Sequence, residues 1–204
     1  MSGGIPGKLF AGIDGEPAEG MFFQTFGMNS GISGEIPGGL FAGVKGPPAY
    51  NMFAGCFRDS PKLTGVIPGN LFAGIKGPPV AEMFNAVFHQ CSGLTGIGDG
   101  LFAGLDENGT CVGTMFTAAF DGCSNLTGYS PKINGRYLYE IWPDCGFAIK
   151  PFSGDAKLSD YNCIPVAWGG SETKEPGQCE PEPQAPDPDE ADDAGDTGDD
   201  IDAD

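Results

Sequence analysis

Positive charge and histidine are scarce in this sequence. Ten Lys and Arg stand against 28 Asp and Glu, giving a net charge of −18, and His89 is the single histidine. Without a basic stripe there is no electrostatic footprint for nucleic acid, and the excess negative charge would repel phosphate. No stretch approaches the roughly 18 consecutive apolar residues of a membrane-spanning helix, and nothing near Met1 has the positive n-region and apolar h-region of a signal peptide. The common catalytic signatures are missing as well: there is no Gly-x-Ser-x-Gly elbow, no His-Glu-x-x-His pair and no phosphate loop ending in Gly-Lys-Ser/Thr. No catalytic residue and no cofactor are therefore expected. An EF-hand calcium loop is also absent. None of the seven Cys lies in a Cys-x-x-Cys pair, and their odd number leaves the redox compartment open.

What the chain has in quantity is Gly (35), Pro (18) and Phe (15). Gly and Pro at this level border on low complexity, but the Phe fall at repeat positions and read as core. Leu-Phe-Ala-Gly recurs at Leu9, Leu40, Leu71 and Leu101, at intervals of 31, 31 and 30, and Met-Phe recurs at Met21, Met52, Met83 and Met115. A fixed period of this size means a stacked array in which no unit buries its apolar face alone.

Within one unit, Leu63 to Pro68 reads as a short strand stopped by the proline. Pro68 suits the start of a helical turn carrying Leu71, Phe72 and Ile75 on one side, closed by Gly74 or Gly77. Pro47-Pro48 and Pro78-Pro79 then fix φ for a second helix, whose stripe in the second repeat is Ala49, Met52, Phe53, Cys56 and Phe57. The remaining glycines read as turn residues. The expected fold is an α/β solenoid, leucine-rich-repeat-like, with four strand-plus-helix repeats of about 31 residues over 1–128. A C-terminal aromatic capping module follows at 129–170, where the regular period stops, although Leu158 to Pro165 echoes Leu-Thr-Gly-x-Ile-Pro and suggests a last degenerate strand. The last segment, 171–204, has 14 acidic residues against Lys174 and reads as a disordered acidic tail.

Asn29, Ser60, Cys91 and Cys123 share one helix-terminal position, where small polar or polarisable side chains can satisfy backbone groups of the neighbouring turn and form a ladder. Metal binding by Cys91 and Cys123 would need further ligands at matched spacing, and His89 reads as a solvated helix residue. Cys145 and Cys163 are the first disulfide pairing expected and Cys111 with Cys123 the second, while Cys179 has no evident partner. Asp106 and Glu107 read as solvated loop. Ser2-Gly3-Gly4-Ile5-Pro6 aligns with Ser33-Gly34-Glu35-Ile36-Pro37, so the chain is expected to open inside a repeat without its own cap, as a fragment or with a partner covering that face.

The pattern in Phe88-His89-Gln90-Cys91-Ser92-Gly93-Leu94-Thr95-Gly96-Ile97, and again from Phe120 through Cys123 to Gly128, resembles the BspA-type leucine-rich repeats of bacterial surface proteins. That family has a shorter repeat; here the inserted Leu-Phe-Ala-Gly helix and its Gly-Pro-Pro connection add length. The resemblance implies a strand-plus-helix solenoid displayed on the cell surface and used for adhesion to host or matrix proteins, with no catalytic residues. The leading expectation is a non-catalytic interaction module with no nucleic-acid partner and no membrane span. Its binding face would be the exposed strand positions Ser33, Thr64, Thr95, Thr127 and Tyr129, with Glu35 and Val66 nearby. The alternative is self-assembly into a filament or shell, and a stacked Thr row that orders water, as in ice-binding solenoids, is a distant third.

Overall fold

The computed structural model describes residues 3–28 and 31–179. Its repeats lie in register on one another, joined along three lines. The first is a parallel sheet in the order β1 (Gly34–Glu35), β2 (Leu63–Ile67), β3 (Leu94–Ile97). Gly34 pairs with Leu63 and Glu35 with Thr64; Gly65 pairs with Leu94, and the register then shifts so that Val66 faces Gly96 and Ile67 faces Ile97. The second line is a set of single parallel bridges, Gly15 to Val44, Gly46 to Ile75 and Gly77 to Leu105.

The third line overturns the α/β solenoid expected from the sequence. No α-helix forms in any described part of the four repeats; among the described residues the one α-helix, α1, has four residues, Leu138–Ile141, and lies in the C-terminal module. Where the second repeat was expected to be helical, the N–H groups of Phe53, Gly55, Phe57 and Asp59 point along the stack to the carbonyls of Met83, Asn85, Val87 and His89, at 2.7 to 2.9 Å. The intervening Met52, Ala54, Cys56 and Arg58 donate locally, three residues back. An α-helix closes every bond within itself, four residues back, at uniformly negative φ. Here Asn51, Gly55 and Asp59 have φ of 57°, 61° and 54°, so every fourth residue is left-handed. Gly, Asn and Asp tolerate that conformation, whereas Glu82, Ala86 and Gln90 at the matching positions bear a cost of about 1 kcal/mol each. Hydrogen bonds between repeats offset it.

This backbone repeats every four residues, so side chains at i and i+4 superpose as they would on a helix, and the Phe form columns. Phe22, Phe53, Phe84 and Phe116 stack at 5.3, 5.7 and 5.8 Å between ring centroids. Phe26, Phe57, Phe88, Phe120 and Phe152 stack at 5.3, 5.4, 5.6 and 5.2 Å. Phe10, Phe41, Phe72 and Phe102 make a third column, tilted against the first. Rings 4.5 to 7 Å apart add about 0.5–1.5 kcal/mol per pair to the burial itself.

The period does not stop at Tyr129. Phe152, Asp155 and Leu158 repeat the local bonding of Phe120, Cys123 and Leu126: Asp155 N–H donates to the Phe152 carbonyl and Leu158 N–H to that of Asp155, as Cys123 and Leu126 do. A fifth, irregular coil is thus built into the C-terminal module. Beside it lies the hairpin β4 (Lys132–Ile133) and β5 (Arg136–Tyr137), turned by Asn134 and Gly135 at φ of 49° and 82°. Such a pair of left-handed residues is the turn Asn-Gly favours. Trp142 and Trp168 close the stack on Phe116 at 6.1 and 6.3 Å.

Neither expected disulfide forms. Cys145 pairs with Cys111, 34 residues away, and Cys163 with Cys179. Cys111 and Cys145 are about one period apart and therefore axial neighbours, while the Cys123 thiol is spent on the core. The Cys163–Cys179 bond ties down 171–179, the first part of the segment expected to be a disordered tail. Asn29 and the acidic run 180–204 lie outside the described residues.

Candidate functional site

The strand face is built by alternation. Leu63, Ile67 and Leu94 are fully buried, while Thr64, Val66 and Thr95 between them point outward, with Val66 55% exposed. Gly65, at φ 77°, sits where a side chain would press on Glu35, which explains glycine in mid-strand.

The residues singled out from the sequence do not line up as one column. Thr64 lies beside Glu35, and Thr95 occupies the shift in register between β2 and β3. Thr127 gives both its N–H and its hydroxyl to the Thr95 carbonyl, at 3.0 and 2.8 Å. Thr64, Thr95 and Thr127 are exposed, and Ser33 is half-buried. Tyr129 is half-buried and stands in the wall of a cleft.

That cleft, of about 600 Å³, opens where the chain leaves the sheet after Gly128 and turns into the β4–β5 hairpin. Ile97, Asp99 and Ala103 form one side, Tyr129, Lys132 and Asn134 the other. A shallower furrow of about 680 Å³ runs across the sheet past Glu35, Val66, Pro37 and Pro68. The two meet at Gly98, which lines both. Exposed carboxylates at Glu35 and Asp99 flank the apolar middle, and Lys132 is drawn over the Tyr137 ring, 4.2 Å from its centroid.

A second polar feature runs down the flank of the stack. His89 is not a solvated residue: its side chain is 19% exposed, with Nδ1 3.4 Å from Asp59 and Nε2 3.2 Å from Asp121. Inside this line lies the expected ladder. Ser60 Oγ donates to the Phe26 carbonyl at 3.1 Å, Cys91 Sγ to Phe57 at 3.0 Å and Cys123 Sγ to Phe88 at 3.0 Å. Burial pushes the Cys91 thiol up to about 12 and those of Cys56 and Cys123 well above their ordinary value, so none is a ready nucleophile or ligand. Among the described residues no group of three or more His, Cys, Asp or Glu is arranged to hold a metal ion.

The two disulfides are bonds that persist in a non-reducing environment. Among the described residues no helix is long and apolar enough to cross a membrane. No family model matches the chain, and no curated protein or solved structure matches it.

Proposed function

We propose that this protein is a non-catalytic interaction module, working outside the cell, that grips an extended segment of a partner protein along its strand face. The observation that carries the reading is the continuity of the furrow over β1–β3 with the cleft beside Tyr129, joined at Gly98. A shallow apolar strip between two carboxylates suits a partner segment with an apolar side chain flanked by basic ones, since opposed charges set register and speed encounter more than they add affinity. The two disulfides support an extracellular setting, and the likeness of the repeats to bacterial surface adhesins supports host or matrix proteins as the partner class. The test is a binding panel of purified matrix proteins against the full chain and a Thr64→Ala, Val66→Asp, Tyr129→Ala variant. A partner bound by the parent should lose at least tenfold in affinity. Undiminished binding of every partner by the variant would move the site elsewhere.

Self-assembly is the second reading. Leu9, Phe23 and Met28 of the first repeat are 42%, 49% and 70% exposed, an apolar surface a second copy would cover. Light scattering at rising concentration separates the two readings, because a strictly monomeric protein removes this one.

A further inference from the structure

The ladder inside the stack needs a donor on every coil. At Ser60, Cys91 and Cys123 that donor is an O–H or S–H reaching the carbonyl of a column Phe one coil back. The Phe88 carbonyl shows how the position is filled: it accepts the Cys91 N–H at 3.0 Å and the Cys123 thiol on its other lone pair. One coil on, the Phe120 carbonyl accepts the Cys123 N–H at 2.9 Å in the same way, and the residue in the next ladder place is Asp155. Asp155 is 0% exposed, and neither carboxyl oxygen has a hydrogen-bond partner. The Cys123 amide beside it is already given to Phe120. An ionised carboxylate would offer only acceptors to a carbonyl, whereas a protonated one offers the missing O–H.

We propose that Asp155, as a neutral carboxylic acid, is the fourth donor of this ladder, closing on the Phe120 carbonyl, and that release of its proton loosens the C-terminal module from the fourth repeat. Burial first, and the nearby charge of Asp121 second, push this carboxyl up to about 8. Burial and the Asp121 charge act in one direction, and only the Cys123 backbone N–H works against them. Asp121 faces it from the fourth repeat with His89 and then Asp59 on its far side, and the Cys123 thiol stays neutral. On its own segment Lys157 is turned to Asn125, at 2.5 Å, and Asp160 is held by Ser130, so among the described residues of that segment no cation offsets a charge on Asp155.

Both Trp lie in the C-terminal module, packed on Phe116, and report its docking directly. The full-length protein should show a change in Trp fluorescence and near-ultraviolet circular dichroism between pH 6 and 9.5, centred near 8. Between the ordinary carboxyl range and about pH 8 the undocking equilibrium should rise by up to tenfold per pH unit, as for one proton, and level off above it. Asp155→Asn should abolish the transition. Asp155→Ser, which installs the alcohol already used at Ser60, should keep the module docked across the range and so guards against an Asn variant that misfolds. Invariant Trp signals in the parent, or a transition of the same midpoint in both variants, would overturn the proposal.

Discussion

The Leu-Phe-Ala-Gly motif contains its own control experiment. A Cβ added at Gly74 would come closer than 3.0 Å to the Val44 carbonyl oxygen; the same holds at Gly43 against Ile13 and at Gly104 against Ile75. At Gly12, the same motif position in the first repeat, nothing lies within 4 Å. Among these, φ is positive at none, so the glycines are there to let adjacent coils approach and not to make a turn. Gly74→Ala should force a backbone shift of about 1 Å, an overpacking cost of about 1–3 kcal/mol. The shift also strains the Gly46-to-Gly74 and Lys76-to-Gly46 hydrogen bonds, now 3.0 and 2.8 Å, each worth about 1 kcal/mol. The expected loss is about 3–5 kcal/mol, a large part of the roughly 5–15 kcal/mol that holds a domain folded. Gly12→Ala should be neutral or stabilising by up to about 1 kcal/mol, because it stiffens only the unfolded chain. Equilibrium urea unfolding followed by far-ultraviolet circular dichroism measures both. If the two variants differ by less than about 1 kcal/mol, close approach is not the reason for the motif's glycine.

Phe53 touches four rings, Phe22, Phe41, Phe72 and Phe84; Phe53→Leu, which keeps most of the apolar volume, should still cost about 2–4 kcal/mol in the same urea assay. Cys91→Ser preserves a donor to the Phe57 carbonyl, whereas Cys91→Ala strands that carbonyl, so Ala should be less stable than Ser by about 1–2 kcal/mol. Both Asp155 and Asp160 hold their protons to higher pH in the folded chain than in the unfolded one. The folded state therefore binds more protons above the ordinary carboxyl range, and stability should fall as pH rises toward 8, by at most about 1.4 kcal/mol per pH unit for each group. Calorimetry from pH 4 to 8 should show that decline, shallower in Asp155→Asn.

Much of the packing was legible in the sequence because stacking demands repetition. The period of 31, 31 and 30 residues fixes which Phe meet, and Ser60, Cys91 and Cys123 at one repeat position fix a row of donors. The exposed Thr64, Thr95 and Thr127 follow from the same alternation. The backbone that carries these side chains was not legible. A helix and a ribbon with a left-handed residue every fourth position both superpose i and i+4, so Met52, Phe53, Cys56 and Phe57 are buried by either. Only Asn51, Gly55 and Asp59, residues at ease in the left-handed region, hinted at the ribbon. The decision rests on hydrogen bonds to the next repeat, which exist only once repeats are stacked. Disulfide choice and the cleft depend on tertiary structure for the same reason. Cys111 meets Cys145, and Tyr129 faces Ile97, because the chain returns one coil later to the same height.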